Sequence, residues 1–257
     1  MKKQDKQIMQ EIKKTKVPEV VLLFWIIKIL ATTLGETGGD SLSMSFGLGY
    51  LASTFVFAAL FVIMVFLQIR AEKFHPVLYW LTIIATTTVG TTLADYCDRS
   101  LGVGYAGGSS ILFALLLLTL FMWHKILGSV SIHSITTWKA EAFYWLTIMF
   151  SQTLGTAFGD WLADSADFGY AKAGLVFSAM LAILTLMYFY TKISRTFLFW
   201  SAFILTRPLG AVVGDFLDKP ISHGGLELSR YGASAVLIVC IGILLLLFKQ
   251  NAAEKSH

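Results

Sequence analysis

The sequence predicts an all-α polytopic membrane protein with eight transmembrane helices in four parallel two-helix repeats. Apolar residues make up 56% of the 257 residues and charged residues only 14%, so a soluble domain could not bury its apolar surface. The mean hydropathy is +0.70. Eight apolar runs approach or reach the roughly 17–25 residues that a helix needs to cross a hydrocarbon core. One pattern of tryptophan, glycine, aspartate and tyrosine recurs four times, which indicates tandem copies of a single unit.

The repeated unit has a fixed internal spacing. Glycine follows tryptophan by ten residues, aspartate follows glycine by five, and a tyrosine closes the unit; the aspartate-to-tyrosine stretch is six residues longer in the fourth copy. The four sets are Trp25/Gly35/Asp40/Tyr50, Trp80/Gly90/Asp95/Tyr105, Trp145/Gly155/Asp160/Tyr170 and Trp200/Gly210/Asp215/Tyr231.

Each apolar run predicts one span. The runs fall near 20–35, 51–69, 77–93, 108–123, 142–158, 173–190, 197–213 and 233–248. The repeats then cover about 20–70, 75–125, 140–192 and 195–249 within a single membrane domain, 19–257, which follows a basic tail, 1–18. Because each repeat has two spans, all four face the same way. The predicted symmetry is a pseudo-twofold or pseudo-fourfold axis along the membrane normal, since a longer central loop joins the second and third repeats.

The distribution of charge predicts the orientation. Lysines and arginines concentrate in the N-terminal tail, in the loops after spans two, four and six, and near the C-terminus, which by the positive-inside rule places both termini in the cytoplasm. Ten of the sixteen acidic residues fall in the opposite loops. This pattern predicts an integral membrane protein with a basic inner face and an acidic outer face.

The acidic residues are the candidate functional groups. Each repeat supplies two carboxylates at helical spacing, which would lie on one helix face and repel each other unless a cation, a proton or a basic side chain such as Arg99 or Lys219 intervened. Hard divalent cations take oxygen ligands of this kind. The predicted metal ligands are Glu36, Asp40, Asp95, Asp98, Asp160, Asp164, Asp215 and Asp218. The alternative for each acid is a solvated helix end.

Polar residues before the repeat glycines complete the candidate site. Thr33, Thr88 and Thr153 would offer oxygens along a substrate path, and Arg207 would be a counter-charge to an acid or a site for an anion. Pro208 removes a backbone hydrogen bond and predicts a kink in span seven, which makes that span the expected moving element. Lys28 is expected to snorkel to the cytoplasmic surface.

The recurring aromatic residues predict two interfacial belts. The repeat tryptophans begin the odd spans on the inner side and the repeat tyrosines begin the even spans on the outer side, which is typical of membrane anchoring.

Several chemistries find no support in the sequence. Cys97 and Cys240 are expected on opposite sides of the membrane, and the histidines show no metal-ligand spacing. We expect no enzymatic activity, no cofactor and no nucleic-acid partner.

The four tandem two-span repeats resemble a family of bacterial integral membrane proteins built of repeats of unknown function and described as membrane-anchored. The likeness extends from about Trp25 to Phe248 and implies an inner-membrane protein without implying an activity. A looser resemblance is to cation/proton exchangers with Glu-x-Gly-Asp signatures, which export manganese or calcium. The run from Gly35 through Glu36 to Asp40 approaches that signature without matching it.

The predicted function is transport of a divalent metal cation, manganese first, with proton-coupled efflux through the same carboxylates. The metal is then a substrate, and the partners are the lipid bilayer, the cation and protons, with homo-oligomerisation left open. Two alternatives are a cation channel with a ring of four aspartates and a non-transporting binding or assembly protein.

Overall fold

The computed structural model describes residues 15–165 and 169–253, without the side chains of residues 164, 165 and 223. Within these residues the chain forms eight long α-helices and no β-strand, apart from an isolated bridge between Pro18 and Ala252. The helices are α1 Leu22–Asp40, α2 Tyr50–Arg70, α3 Pro76–Asp95, α4 Tyr105–Leu127, α5 Trp138–Asp160, α6 Tyr170–Tyr190, α7 Arg195–Asp218 and α8 Arg230–Leu247. The predicted apolar runs are confirmed as helical apart from residues 20, 21 and 248, and each helix extends beyond its run at one end or both.

The helices have the length and composition of membrane spans. Among the described residues, seven of the eight are long and apolar enough to cross a bilayer. The exception, α5, has 23 residues, and buried polar groups such as Glu141, Gln152 and Asp160 lower its apolarity. The chain is therefore a transmembrane protein.

The first helices of the four repeats form a closed inner ring. Helix α1 packs on α3, α3 on α5, α5 on α7, and α7 again on α1. Glycines permit the close approach, because a Cβ at Gly35, Gly155 or Gly210 would overlap the neighbouring helix, and one at Gly90 would lie only 3.0 Å from the backbone of α5. The four contacts are Gly35 with Thr87, Gly90 with Gln152, Gly155 with Arg207 and Gly210 with Thr32. Since the contacting residues occupy equivalent positions, the ring is built in matching layers.

The second helix of each repeat lies outside this ring. Helix α2 packs mainly on α3, α4 on α5, α6 on α7, and α8 on α1. Each outer helix therefore packs on the inner helix of the next repeat, and the last repeat closes the cycle onto the first. The outer helices leave large apolar side chains exposed, as at Phe55, Phe189 and Leu246, which suits contact with lipid.

The aspartate of each of the first three repeats is followed by a short π-helical segment. These segments are Ser41–Ser45, Tyr96–Ser100 and Trp161–Ser165. A glycine with φ between +72° and +77° then starts each outer helix, at Gly49, Gly104 and Gly169, a conformation that other residues rarely adopt. In the fourth repeat, α7 continues to Asp218 and the six additional residues form a hydrogen-bonded loop.

The prediction that the repeat tryptophans form an interfacial belt is wrong for three of them. Trp80, Trp145 and Trp200 are only 1%, 2% and 5% exposed and pack together inside the inner ring with other aromatic side chains. The repeat spacing of these tryptophans fits an interfacial belt and a buried core equally well. Equivalent positions of the four inner helices converge, and here they converge in the core. The repeat tyrosines do begin α2, α4 and α6, as predicted.

Residues 17–19 pair with residues 251–253 at the aromatic end of the ring. Lys16, in the predicted basic tail, is buried, and its ammonium group lies 2.7 Å from Glu141 Oε1. It also donates to the carbonyl oxygens of Gln68, Ile69 and Ala71 at the C-terminus of α2. Residues 15–18 are therefore part of the packed structure.

Candidate cation-binding site

The four repeat aspartates are buried at the end of the inner ring opposite the aromatic core. Asp40, Asp95, Asp160 and Asp215 are each at most 3% exposed. The first three are the last α-helical residues before the π-helical segments, and π-helical turns are frequent at functional sites. Equal distances from the close-packed glycines bring the four aspartates to the same level of the ring.

Two basic side chains bridge the aspartates in pairs. Arg99 places Nε 2.8 Å from Asp95 Oδ1 and Nη2 3.4 Å from Asp160 Oδ2. Lys219 places Nζ 2.6 Å from Asp40 Oδ2 and 3.0 Å from Asp215 Oδ1. Each base lies four residues after the aspartate of its own repeat and reaches the aspartate of the next. The site therefore has two matching halves, each with two carboxylates and one base.

A further ion pair lies deeper in the ring. Arg207 is fully buried, and its Nη2 lies 2.9 Å from Glu36 Oε2 and 2.5 Å from each of the hydroxyl oxygens of Thr91 and Thr156. Its Nη1 donates to the carbonyl oxygen of Thr32 at 3.4 Å. The guanidinium group of α7 thus contacts the other three inner helices and fills the ring at this level.

The fourth basic group lies at the rim. Arg230, at the start of α8, pairs through Nε with Asp218, and the same nitrogen lies 3.8 Å from Asp40 Oδ2. This pair ties α8 to the end of α7 and to α1.

The carboxylate oxygens form two groups close enough to share one ion. One oxygen from each of Glu36, Asp40 and Asp95 lies within 4.8 Å of the others, and the same holds for Asp40, Asp215 and Asp218. Among the described side chains, the cluster contains six carboxylates and four basic groups. If all ten are ionised, four positive charges leave two negative charges uncompensated. The six carboxylates are Glu36, Asp40, Asp95, Asp160, Asp215 and Asp218.

Two predicted ligands are not placed with this cluster. The Asp98 carboxylate lies against Gly108 of α4 and belongs to neither group of close carboxylate oxygens. The side chain of Asp164 lies outside the described residues. The hydroxyl groups of Thr33, Thr88 and Thr153, predicted to face a substrate path, each donate to a carbonyl oxygen of their own helix four residues earlier.

Sequence reasoning missed three residues and misplaced one. Thr91 and Thr156 occupy the position equivalent to Glu36, so the repeat register could have identified them as partners of Arg207. The repeat register did not identify Arg230. The snorkelling predicted for Lys28 is wrong: this side chain is fully buried, with Nζ 3.3 Å from Thr206 Oγ1 and 3.9 Å from the centroid of the Phe203 ring.

Comparison with known protein families identifies the repeated unit. The family model described as Repeat of Unknown Function (DUF347) matches the chain four times, at residues 23–74, 78–126, 143–194 and 198–251. No curated protein and no solved structure matches the chain. The matched segments correspond to the four repeats seen in the sequence.

Proposed function

We propose that this chain, which belongs to the DUF347 repeat family, is a membrane transporter that exchanges a divalent cation for protons. The proposal comprises eight spans in four two-helix repeats around an axis along the membrane normal. It places both termini in the cytoplasm of a bacterium, and it includes no enzymatic step and no nucleic-acid partner. The closed inner ring and the cyclic packing of the outer helices support this arrangement.

The observation that carries the proposal is the excess of two buried negative charges. Burying a charge without compensation costs several kcal/mol, so an acidic excess at this depth calls for a cation or for protons. Asp160 Oδ1 and Asp218 Oδ1 are buried with no hydrogen-bond partner among the described residues, which leaves lone pairs for a ligand. One divalent cation would match the excess charge.

The donor atoms favour a hard cation. The groups of close oxygens contain carboxylates and no histidine or cysteine, a donor set that suits Mg²⁺, Ca²⁺ or Mn²⁺ better than Cu⁺ or Zn²⁺. Manganese belongs to this group of hard cations and stays our first candidate. Protons that neutralise the same carboxylates would release the metal, which gives a direct means of exchange.

The route through the ring requires a moving part. Arg207 blocks the axis with a permanent positive charge. A cation leaving the acid cluster could pass only if this side chain moved away. Pro208, the next residue, lies inside α7 and removes one backbone hydrogen bond there, so α7 is the element expected to bend.

The packed centre of the inner ring disfavours the channel alternative. An open cation channel needs a continuous axial path lined by its acid ring. Here one guanidinium group contacts all three other inner helices at the level just below that ring. This arrangement supports a gated transporter rather than a permanent pore.

The test is cation flux in proteoliposomes across Mn²⁺, Ca²⁺, Mg²⁺, Zn²⁺ and Fe²⁺, with an imposed proton gradient. We expect flux of at least one hard cation by the wild type, and strong loss in Asp40→Asn and Asp95→Asn. Glu72→Gln, which removes an exposed carboxylate in the loop after α2, is the matched control and should retain flux. Absence of flux for every metal would overturn the proposal and favour a binding or assembly role.

A further inference from the structure

The ring contains a second polar layer, between the Arg207–Glu36 pair and the aromatic core, in which buried polar groups lack hydrogen-bond partners. Ser151 Oγ, Arg207 Nε and both amide atoms of Gln152 are buried and have no partner among the described residues. Lys28 Nζ has one hydrogen bond, to the Thr206 hydroxyl group at 3.3 Å. All five of these side chains are at most 1% exposed.

These side chains lie at one level of the ring. Thr206 and Arg207 are adjacent on α7, and Ser151 and Gln152 occupy the equivalent positions on α5, one step round the ring. Lys28 reaches this level from α1 through its bond to Thr206. The unsatisfied groups therefore come from three helices that pack around the same axis.

The layer is positive when Lys28 is protonated, a form that burial disfavours unless an anion accompanies it. The charge of Arg207 is compensated by Glu36, whereas Lys28 forms no ion pair with any described residue. Contact with the Phe203 ring, 3.9 Å from Nζ to the centroid, offsets only part of the cost of burying an ammonium group. Water could accept the unused hydrogen bonds, but it would leave the charge uncompensated.

We propose that this layer binds one small monovalent inorganic anion, of the size and charge of chloride. The ammonium group of Lys28 supplies the compensating charge, and the Ser151 hydroxyl, the Gln152 amide and Arg207 Nε donate hydrogen bonds. Enclosure by four close-packed helices limits the ligand to a compact anion. This site shares Arg207 with the carboxylate cluster but contains none of its carboxylates, and its existence does not depend on cation transport.

The experiment measures thermal unfolding of the purified full-length chain in detergent. Chloride, bromide or nitrate replaces gluconate at constant ionic strength. A ligand that binds only the folded state raises the unfolding temperature as it saturates its site. We expect a saturable rise with the small anions that gluconate does not produce. We expect Lys28→Met to lose this rise, and Lys73→Met, which removes an exposed lysine, to retain it.

A second pair of variants covers the case in which Lys28→Met does not fold. Ser151→Ala and Gln152→Leu each remove one hydrogen-bond donor. Each should raise the anion concentration at half-saturation by about tenfold, the effect of losing one hydrogen bond to a charged group. The proposal is overturned by a wild type that responds equally to chloride and gluconate, by an unchanged response in Lys28→Met, or by unchanged half-saturation in both donor variants.

Discussion

Arg99 and Lys219 make equivalent bridges on opposite sides of the inner ring. Each follows the aspartate of its repeat by four residues and joins that aspartate to the one in the next repeat. The first and third repeats have Met44 and Asp164 at the equivalent positions. Only the second and fourth repeats therefore carry a bridging base. The charged site has twofold symmetry, although the inner helices that hold it repeat four times.

Removal of Lys219 should destabilise the protein. In Lys219→Met, Asp40 and Asp215 face each other without the ammonium group between them, and breaking a buried ion pair in this way costs about 3–5 kcal/mol. Chemical unfolding in detergent measures the loss. Lys192→Met removes an exposed lysine and is the control. Equal stability of Lys219→Met and wild type would show that another group already neutralises the pair.

Arg207 and Glu36 should behave as a coupled pair. Arg207→Met leaves the Glu36 carboxylate buried without its base, and Glu36→Gln leaves the guanidinium group without its acid, so each change should cost about 3–5 kcal/mol of unfolding free energy. The double variant removes both charges and should lose less than the sum of the two.

A double-mutant cycle on unfolding free energies measures that difference. Arg70→Gln changes an exposed arginine and should leave stability nearly unchanged. Additive effects of Arg207→Met and Glu36→Gln would mean that the two charges are not coupled.

Much of the helical framework followed from the sequence, because a membrane span is defined locally. The predicted run 20–35 has about the length of one span and falls largely within α1, and the tyrosine at position 50 begins the next helix. The gathering of acids at one end also followed, since equal spacing from the glycines places the four aspartates at one level. The helix positions and the common level of the aspartates depend only on residue spacing along each helix.

Contacts between repeats could not be predicted in the same way. The reach of Arg99 to Asp160 and of Lys219 to Asp40 depends on which helices are neighbours, and the spacing within a repeat carries no record of that order. The depth of Lys28 was misjudged for a related reason. Its distance from the start of α1 suits a surface lysine, but in the folded ring it packs against Thr206 and Phe203 of the neighbouring helix α7.

Asp95 and Asp98 should differ in transport although they belong to the same repeat. Asp95 is buried within the carboxylate cluster, while Asp98 lies against α4. Asp95→Asn should lower the initial cation flux by at least about tenfold, since one lost charged ligand is worth more than about 1.4 kcal/mol. Asp98→Asn should retain flux close to wild type. Initial rates in matched proteoliposomes separate the two outcomes, and equal losses would place both carboxylates on the path.

The close approach of α1 to α3 should depend on Gly35 and not on Gly38. A Cβ at Gly35 would overlap the Thr87 side chain and lie 3.1 Å from its carbonyl carbon, whereas a Cβ at Gly38 meets no atom within 4 Å. Gly35→Ala should cost about 1–3 kcal/mol through overpacking. Gly38→Ala should be neutral or stabilising by about 0.5–1 kcal/mol, because alanine favours the helix. Unfolding of the two variants under identical conditions measures the contrast, and equal stability would show that the inner helices do not pack through the repeat glycines.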